Sequence, residues 1–244
     1  MKSKFLTLIA VSTLTFVGCA EAGSTDAHVN TADRAQIESI VKSYLLQNPE
    51  IIRDAMIELE KKEDRAMLAS FDKELKRDGR DVSYGPKDAK VTIVEFFDYN
   101  CGYCKNTTDW VMDTLKAHPN DVRVVFKELP ILDGRTKTSR NASLAALAAG
   151  RQGKYKEMHI ALMNSRGLSV EKIENLAVEQ GINVDTLRKD MKDPKLAKQI
   201  EDAIILAQNI PPLTGTPFFV INDSYIAGAD TDALQEKLES ALKG

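Results

Sequence analysis

Two cysteines separated by two residues, Cys101 and Cys104, are the side chains of this sequence best suited to chemistry. A pair at this spacing can bind zinc, form a structural disulfide or exchange disulfides with another molecule. Structural zinc needs two further ligands, but the remaining cysteine, Cys19, lies in an N-terminal apolar segment, and the three histidines show no paired spacing. A disulfide across so short a loop stabilises a fold very little. The spacing therefore favours a redox pair that needs no cofactor, and copper(I) held by two thiolates is the alternative.

The two cysteines are expected to have different roles because they occupy different places on one helix. Cys101 follows an apolar run and precedes a helical pattern, so it is predicted at the helix N-terminus, where unpaired amides and the helix dipole favour a thiolate. Cys104 lies one turn further along and should be more buried. We therefore expect Cys101 to attack a client disulfide and Cys104 to resolve the mixed disulfide that results.

Glu95 is the single acid in the apolar run of residues 91–97. A lone carboxylate buried in a strand is unfavourable unless something compensates its charge. Three interpretations are open. The side chain reaches water at an edge of the sheet, it pairs with a lysine such as Lys127, or it transfers protons to and from Cys104.

Pro217 and His159 are two further candidates for the site. Gly215-Thr216-Pro217 precedes the last predicted hairpin, and proline is tolerated at the first residue of a strand. A cis Thr216–Pro217 bond is a hypothesis at this point, since most X–Pro bonds are trans. His159 shares a predicted helix face with apolar neighbours, so we interpret it as a packing or locally hydrogen-bonded residue rather than a catalytic one.

The elements around the cysteine pair follow the order expected of an α/β fold. Residues 91–97 and 121–127 are predicted as strands, and the helical pattern of residues 107–117 lies between them. Strand, helix and strand in that order form a βαβ unit, whose strands should be parallel. A hairpin over residues 217–227 and a last amphipathic helix close the chain.

The segment between the second strand and the hairpin contains helical patterns only. It spans residues 139–209, and Ser139, Ser169 and Asp185 are its predicted N-caps. The order βαβ, helical insert, ββα predicts a thioredoxin-like domain over residues 82–244, interrupted by a helical subdomain.

The start of the chain is predicted to direct export. Residues 1–22 carry two lysines and then an apolar run that is too short for a membrane span, a pattern typical of a signal peptide. Two cleavage sites compete. Residues 20–22 (AEA) suit ordinary signal peptidase, whereas a bacterial lipobox that ends at Cys19 would make this residue a lipid anchor. The small polar residues 23–32 predict a linker.

Residues 33–80 predict an N-terminal helical extension of two helices, interrupted at residues 48–50 (NPE). These helices have more apolar surface than a lone helical hairpin can bury. Either this surface packs on the body of the same chain, or residues 33–75 form a homo-oligomer.

The overall composition limits the class of protein and its partners only broadly. A hydrophobic fraction of 43%, a charged fraction of 28% and a formal net charge of -3 are ordinary for a globular protein. Such a charge gives no reason to expect nucleic acid as a partner.

Residues 82–243 resemble the DsbA-like family of bacterial periplasmic thiol–disulfide oxidoreductases. The resemblance is carried by the motifs VEFFD, KELP and GTPFF at residues 94–98, 127–130 and 215–219. It implies a cis Pro217 that faces Cys101, and a proton-transfer role for Glu95. Substrate contacts are assigned on the same basis to Gly102, Tyr103, Thr216 and Pro217.

Two details of the sequence modify this resemblance. Residues 44–50 (YLLQNPE) are similar to the ScsC-type (suppressor of copper sensitivity) branch, in which such helices mediate trimer formation. The dipeptide Gly102-Tyr103 differs from the Pro-His of strongly oxidising DsbA proteins and resembles the Gly-Tyr of the disulfide isomerase DsbC.

The resemblance therefore implies an oligomeric periplasmic isomerase or reductase, a trimer being one arrangement. Its partners would be exported client proteins with cysteines and a membrane redox partner. A DsbA-like dithiol oxidase is the first alternative, and a copper-binding or structural lipoprotein is the second.

Overall fold

The computed structural model describes residues 31–244 of the chain. The predicted export signal, its Cys19 and residues 23–30 of the predicted linker lie outside the described residues. The described chain consists of two units, one that ends at Asp54 and one that runs from Ala55 to Gly244. Within residues 31–244, no helix is both long and apolar enough to cross a membrane.

A five-stranded sheet forms the centre of the larger unit. Its strands are β1 Val82–Tyr84, β2 Val91–Phe97, β3 Val122–Glu128, β4 Phe218–Ile221 and β5 Ser224–Ala227. Their order across the sheet is β1-β3-β2-β4-β5, and only β2 and β3 pair in parallel. β2 is central and apolar, and its alternate side chains enter two separate buried clusters, as a strand covered on both faces requires.

The helices follow one another along the chain in the order predicted around the cysteine pair and in the insert. They are α1 Thr31–Gln47, α2 Glu50–Ser70, α3 Asp72–Lys76, α4 Gly102–Ala117, α5 Asp133–Thr136, α6 Ser139–Arg151, α7 Tyr155–Asn164, α8 Val170–Glu179, α9 Val184–Asp190, α10 Pro194–Gln208 and α11 Thr231–Lys243. α4 connects β2 to β3, and α5 to α10 lie between β3 and β4. This arrangement confirms the predicted α/β fold with a helical insert and N-terminal helices.

The helix caps of the insert follow the prediction only in part. The Ser169 hydroxyl accepts a hydrogen bond from the Lys172 amide at 3.1 Å and caps α8 as predicted. Ser139 is the first residue of α6 rather than its cap. α9 is capped by Asn183, whose side chain accepts from the Thr186 amide at 2.8 Å, and not by Asp185.

The smaller unit contains α1 and the beginning of α2. The two helices are interrupted after Gln47, as predicted, and the Asn48 amide side chain donates to the Tyr44 carbonyl at 2.8 Å at the end of α1. Four large apolar side chains of α1 are about half exposed, namely Ile37, Ile40, Val41 and Tyr44. These side chains form an apolar face on α1 that is largely exposed.

The C-terminal part of the predicted oligomerisation segment belongs to the core. Leu68 at the end of α2 and Leu75 in α3 are buried in one cluster with Val94 and Phe96 of β2. The apolar side chains near the end of the predicted range of residues 33–75 are therefore covered by the chain itself, and self-association through this range stays a prediction.

Candidate active site

Cys101 lies where β2 leads into the active-site helix α4. It is the N-cap residue of α4, with extended backbone (φ −80°, ψ 116°), and its amide donates to the Asp98 carbonyl at 3.0 Å. Its side chain is 8% exposed, whereas the next-but-one residue, Tyr103, is 68% exposed. The thiol is thus mostly buried and lies beside the unpaired amides of a helix N-terminus, the position predicted from the sequence.

Hydrogen bonds to the Cys101 sulfur lower its pKa to about 5. The largest contribution is a hydrogen bond from the Cys104 thiol, and the Cys104 amide, the Thr216 side chain and the Tyr103 amide add to it against the opposing effect of burial. Cys101 is therefore a thiolate at neutral pH, which is the nucleophilic form of cysteine.

Cys104 has the opposite character. Its side chain is fully buried, and burial, followed by its hydrogen bond to Cys101 and the Cys101 charge, raises its pKa well above the usual range. Cys104 therefore keeps its proton until Cys101 has reacted. Both cysteines are free thiols in the structure, so this asymmetry describes the reduced pair.

The Thr216–Pro217 bond is cis, as hypothesised. The Cys101 sulfur lies 3.2 Å from the Thr216 carbonyl oxygen, and only in its protonated form does it donate a hydrogen bond to this oxygen. The loop before β4 is thereby placed against the attacking sulfur. The substrate-binding roles of Gly102, Tyr103, Thr216 and Pro217 stay predictions.

Glu95 is buried in the centre of β2, with 1% of its surface exposed, so it does not reach water. Lys127 does not pair with it either, because this lysine forms a buried ion pair with Asp81 and donates to the Glu74 carbonyl. In the described part of the chain, Glu95 Oε1 has no hydrogen-bond partner. Two of the three sequence-based interpretations are thus excluded.

The surroundings of Glu95 suit a group that exchanges protons. Burial, and then the charge of Glu128, raise the pKa of Glu95 to about 8. The charge of Glu95 in turn helps to raise the pKa of Cys104, so the two groups interact. A carboxyl group whose pKa is near neutral is well placed for acid–base exchange with a thiol. The proton-transfer role of Glu95 remains a prediction that this geometry supports.

A second buried carboxylate, Glu128, was not identified from the sequence as part of the site. Its Oε1 accepts hydrogen bonds from the hydroxyl groups of Tyr99 at 3.0 Å and Tyr155 at 2.8 Å, and burial raises its pKa to about 8. The Tyr99 hydroxyl also lies 3.0 Å from His159 Nδ1. Burial, with a smaller effect of the Lys105 charge, lowers the pKa of His159 to about 3, so His159 is neutral.

His159 therefore has the packing and hydrogen-bonding role predicted for it. In the sequence, Glu128 was marked only by the charges of Lys127 and Glu128 at the end of a mostly apolar strand and by the KELP motif of residues 127–130, and neither indicated the network. Within residues 31–244, no group of three or more histidine, cysteine or acidic side chains is arranged to hold a metal ion.

Two regions of this chain match known protein families. A family described as the DSBA-like thioredoxin domain matches residues 92–243. The family described as the Copper resistance protein ScsC N-terminal domain matches residues 33–66.

Similar proteins include two solved structures. A thioredoxin-like oxidoreductase from Silicibacter pomeroyi DSS-3 is 37% identical, with a TM-score of 0.64 over 70% of this chain and 98% of that one. A linker-deletion mutant of Proteus mirabilis ScsC is 29% identical, with a TM-score of 0.65 over 90% of this chain and 99% of that one.

Curated relatives are longer than this chain. The Na(+)/H(+) antiporter NhaA 1 of Salinispora arenicola is 32% identical over 167 residues, which is 68% of this chain and 25% of the antiporter. The chain thus spans about a quarter of the length of the curated relatives that it matches.

The family match contains the site as well as the fold. Residues 92–243 include Glu95, both cysteines of the redox pair and Pro217, and the match covers more than half of the chain. The chain therefore belongs to the DSBA-like thioredoxin-domain family of thiol–disulfide oxidoreductases.

Proposed function

We propose that this protein is a periplasmic disulfide isomerase or reductase that acts on exported client proteins. The observation that carries the proposal is the opposite character of the two thiols. Cys101 is a thiolate with a pKa of about 5 that keeps a small part of its surface exposed, and Cys104 is a fully buried thiol that retains its proton. The predicted export signal supports the location, since disulfides persist in an oxidising compartment.

The chemistry begins when the Cys101 thiolate attacks one sulfur of a client disulfide. A Cys101–client disulfide forms, the client S–S bond breaks, and the second client sulfur leaves as a thiolate that takes up a proton. In isomerisation, another client thiolate attacks the mixed disulfide and returns Cys101 as a thiolate. In reduction, Glu95 in its ionised form takes the proton of Cys104, and the Cys104 thiolate attacks Cys101. The Cys101–Cys104 disulfide forms, the mixed disulfide breaks, and the client sulfur leaves as a thiolate that takes up a proton.

Isomerisation requires the pair to be reduced before it meets a client. The low pKa of Cys101 stabilises the reduced form, because stabilisation of the thiolate shifts the equilibrium from the disulfide towards the dithiol. The exposed Gly102-Tyr103 dipeptide supports the same assignment through its resemblance to DsbC.

The same low pKa favours a second candidate, a dithiol oxidase. A pair whose reduced form is stabilised gives up its disulfide easily to a client. In this case the oxidised protein would donate the Cys101–Cys104 disulfide to two client thiols and become reduced, and a membrane oxidant would then restore it.

Two refolding assays separate these candidates. We expect the reduced protein to reactivate scrambled ribonuclease several-fold faster than a redox buffer alone, because its Cys101 thiolate can attack wrong disulfides. The oxidised protein should accelerate the oxidation of reduced ribonuclease much less. The reverse pattern of rates would favour the oxidase, and equilibration with glutathione of known potential would give the redox potential of the pair.

We also propose that α1 forms the contact of a homo-oligomer. Ile37, Ile40, Val41 and Tyr44 lie on this helix at spacings of three and four residues and are 52%, 59%, 49% and 56% exposed. Side chains at these spacings share one helix face, and a contiguous apolar surface of this kind is unusual on a monomer. Several active sites around one cavity would suit a misfolded client.

Charge placed on this face is expected to dissociate the oligomer. In the Ile40→Glu, Tyr44→Glu double variant, light scattering should give a monomer mass, whereas the natural protein should give a multiple of it. The matched control is Val178→Glu, since Val178 is a 61% exposed apolar residue of α8, and it should leave the mass unchanged. A monomer mass for the natural protein at micromolar concentration would exclude the oligomer.

A further inference from the structure

A groove with positively charged walls opens beside Cys101. It has a volume of about 770 Å³, and Cys101 and Tyr103 are part of its lining. The charged residues that line it are Lys105, Arg135 and Arg166, and none of the described residues in its lining is acidic. The protein as a whole has a formal net charge of -3. The positive charge of this cationic groove is therefore local and is not a consequence of a basic protein.

The three cations of the groove come from separate segments of the chain. Lys105 belongs to α4, Arg135 to α5, and Arg166 follows α7. The Lys105 ammonium donates to the carbonyls of Leu162 and Met163 at 3.0 Å each, which fixes it at the wall of the groove. Burial lowers the pKa of Lys105 to about 8, so it still carries its charge at neutral pH.

The two arginines of the groove have no carboxylate partner among the residues that the structure describes. Elsewhere on the surface, Arg80, Arg151 and Arg188 each form ion pairs with acidic side chains at 2.7 Å. Within residues 31–244, neither Arg135 nor Arg166 lies in such a pair, and both side chains are exposed. A guanidinium group without a partner retains its full capacity to bind a carboxylate in two-point geometry.

We propose that the cationic groove binds client polypeptides that carry aspartate or glutamate next to the cysteine being exchanged. This inference rests on the proposed function and adds a substrate class to it. Acidic side chains close to a disulfide repel an approaching thiolate, and the groove cations compensate that repulsion where Cys101 attacks. A volume of this size holds a few side chains of a bound segment.

The groove changes how the client is held and leaves the electron balance of the exchange as described above. The Cys101 thiolate still forms the mixed disulfide, and the departing client sulfur still leaves as a thiolate that takes up a proton. The carboxylates of the client are not consumed. The expected signature is therefore a difference in rate between clients that differ only in flanking charge.

Two matched disulfide-linked peptides, one with glutamates and one with lysines beside the cysteine, test this inference with the reduced full-length protein. We expect the acidic peptide to react roughly tenfold faster at low salt, and the difference to shrink as ionic strength rises. Arg135→Glu and Arg166→Glu should each slow the acidic peptide and speed the basic one. Arg188→Glu, which changes the net charge equally outside the groove, should keep the preference for the acidic peptide.

The results separate two kinds of failure. Equal rates for the two peptides with the natural protein, or a preference that persists in both groove variants, would overturn the cationic groove as a client site and leave the oxidoreductase function intact. If neither peptide reacts faster than it does with a small thiol alone, the proposed function fails and the substrate class fails with it.

Discussion

Replacement of Cys101 by serine is expected to lower insulin reduction to the rate given by the small-molecule thiol alone. This is a loss of about two orders of magnitude or more, because a serine hydroxyl does not ionise at neutral pH and supplies no sulfur nucleophile. Cys104 cannot take over the attack, since it is fully buried and its pKa is raised by that burial. Insulin turbidity and refolding of scrambled ribonuclease both measure the loss.

Cys104→Ser is the matched control for this change. This variant keeps the Cys101 thiolate but lacks the group that resolves the mixed disulfide. It should accumulate a covalent complex with the client, visible by mass spectrometry without reductant, and Cys101→Ser should form none. Refolding activity that survives in Cys101→Ser would contradict the catalytic assignment and favour the scaffold or copper-binding alternative.

Replacement of Glu95 by glutamine should change stability and activity in opposite directions. In the unfolded chain Glu95 loses its proton near its ordinary pKa of 4.5, whereas in the folded protein it keeps the proton up to about pH 8. Between these two values the folded state binds more protons, so the free energy of unfolding falls as the pH rises. At about 1.4 kcal/mol for each pKa unit, the loss amounts to a few kcal/mol by pH 8.

Glu95→Gln removes this loss because glutamine does not ionise. Denaturant unfolding at several pH values should show a shallower fall in stability between pH 5 and pH 8 than in the natural protein. At the same time, release of the client from the mixed disulfide should slow by about a hundredfold, the low end of the effect of general acid–base catalysis. Stopped-flow measurement with a peptide disulfide separates this step from the initial attack.

Glu128→Gln provides the comparison. The pKa of Glu128 is also raised to about 8 by burial, so this variant should flatten the pH dependence of stability as well. It should not slow release of the client to the same extent, since Glu128 hydrogen-bonds to tyrosines rather than serving Cys104. Equal slowing in both variants would show that Glu95 has no special part in proton transfer.

The sequence predicted the central elements well because their signals are local. The mostly apolar run of β2, with its single acid, and the break after Gln47 each indicate one structure from neighbouring residues alone. β1 was missed because it contains only three residues and is held by antiparallel pairing with β3, a contact between segments distant in sequence. The cap of α9 was misplaced by two residues, since Asn183 and Asp185 are both good caps and only the start of the helix decides between them.

The candidate site was likewise predictable where its signals are local and not where it depends on contacts between distant segments. The order of attack and resolution followed from the place of Cys101 before a helix, and the pKa values of the two thiols differ in the expected direction. The cationic groove could not be predicted, because Lys105, Arg135 and Arg166 meet only when the insert folds against α4. The network around Glu128 was hidden for the same reason, since its tyrosines follow β2 and begin α7.

Lys105 joins two parts of the protein that are separate in the chain. Lys105 is the residue after Cys104, and its ammonium group donates hydrogen bonds to two carbonyls near the end of α7. The helix dipole favours a positive charge at this position. Local unfolding of the insert would therefore break contacts of the first turn of the active-site helix. We therefore expect the amide hydrogens at the end of α7 and those around Cys104 to show similar protection, which native-state hydrogen exchange measures.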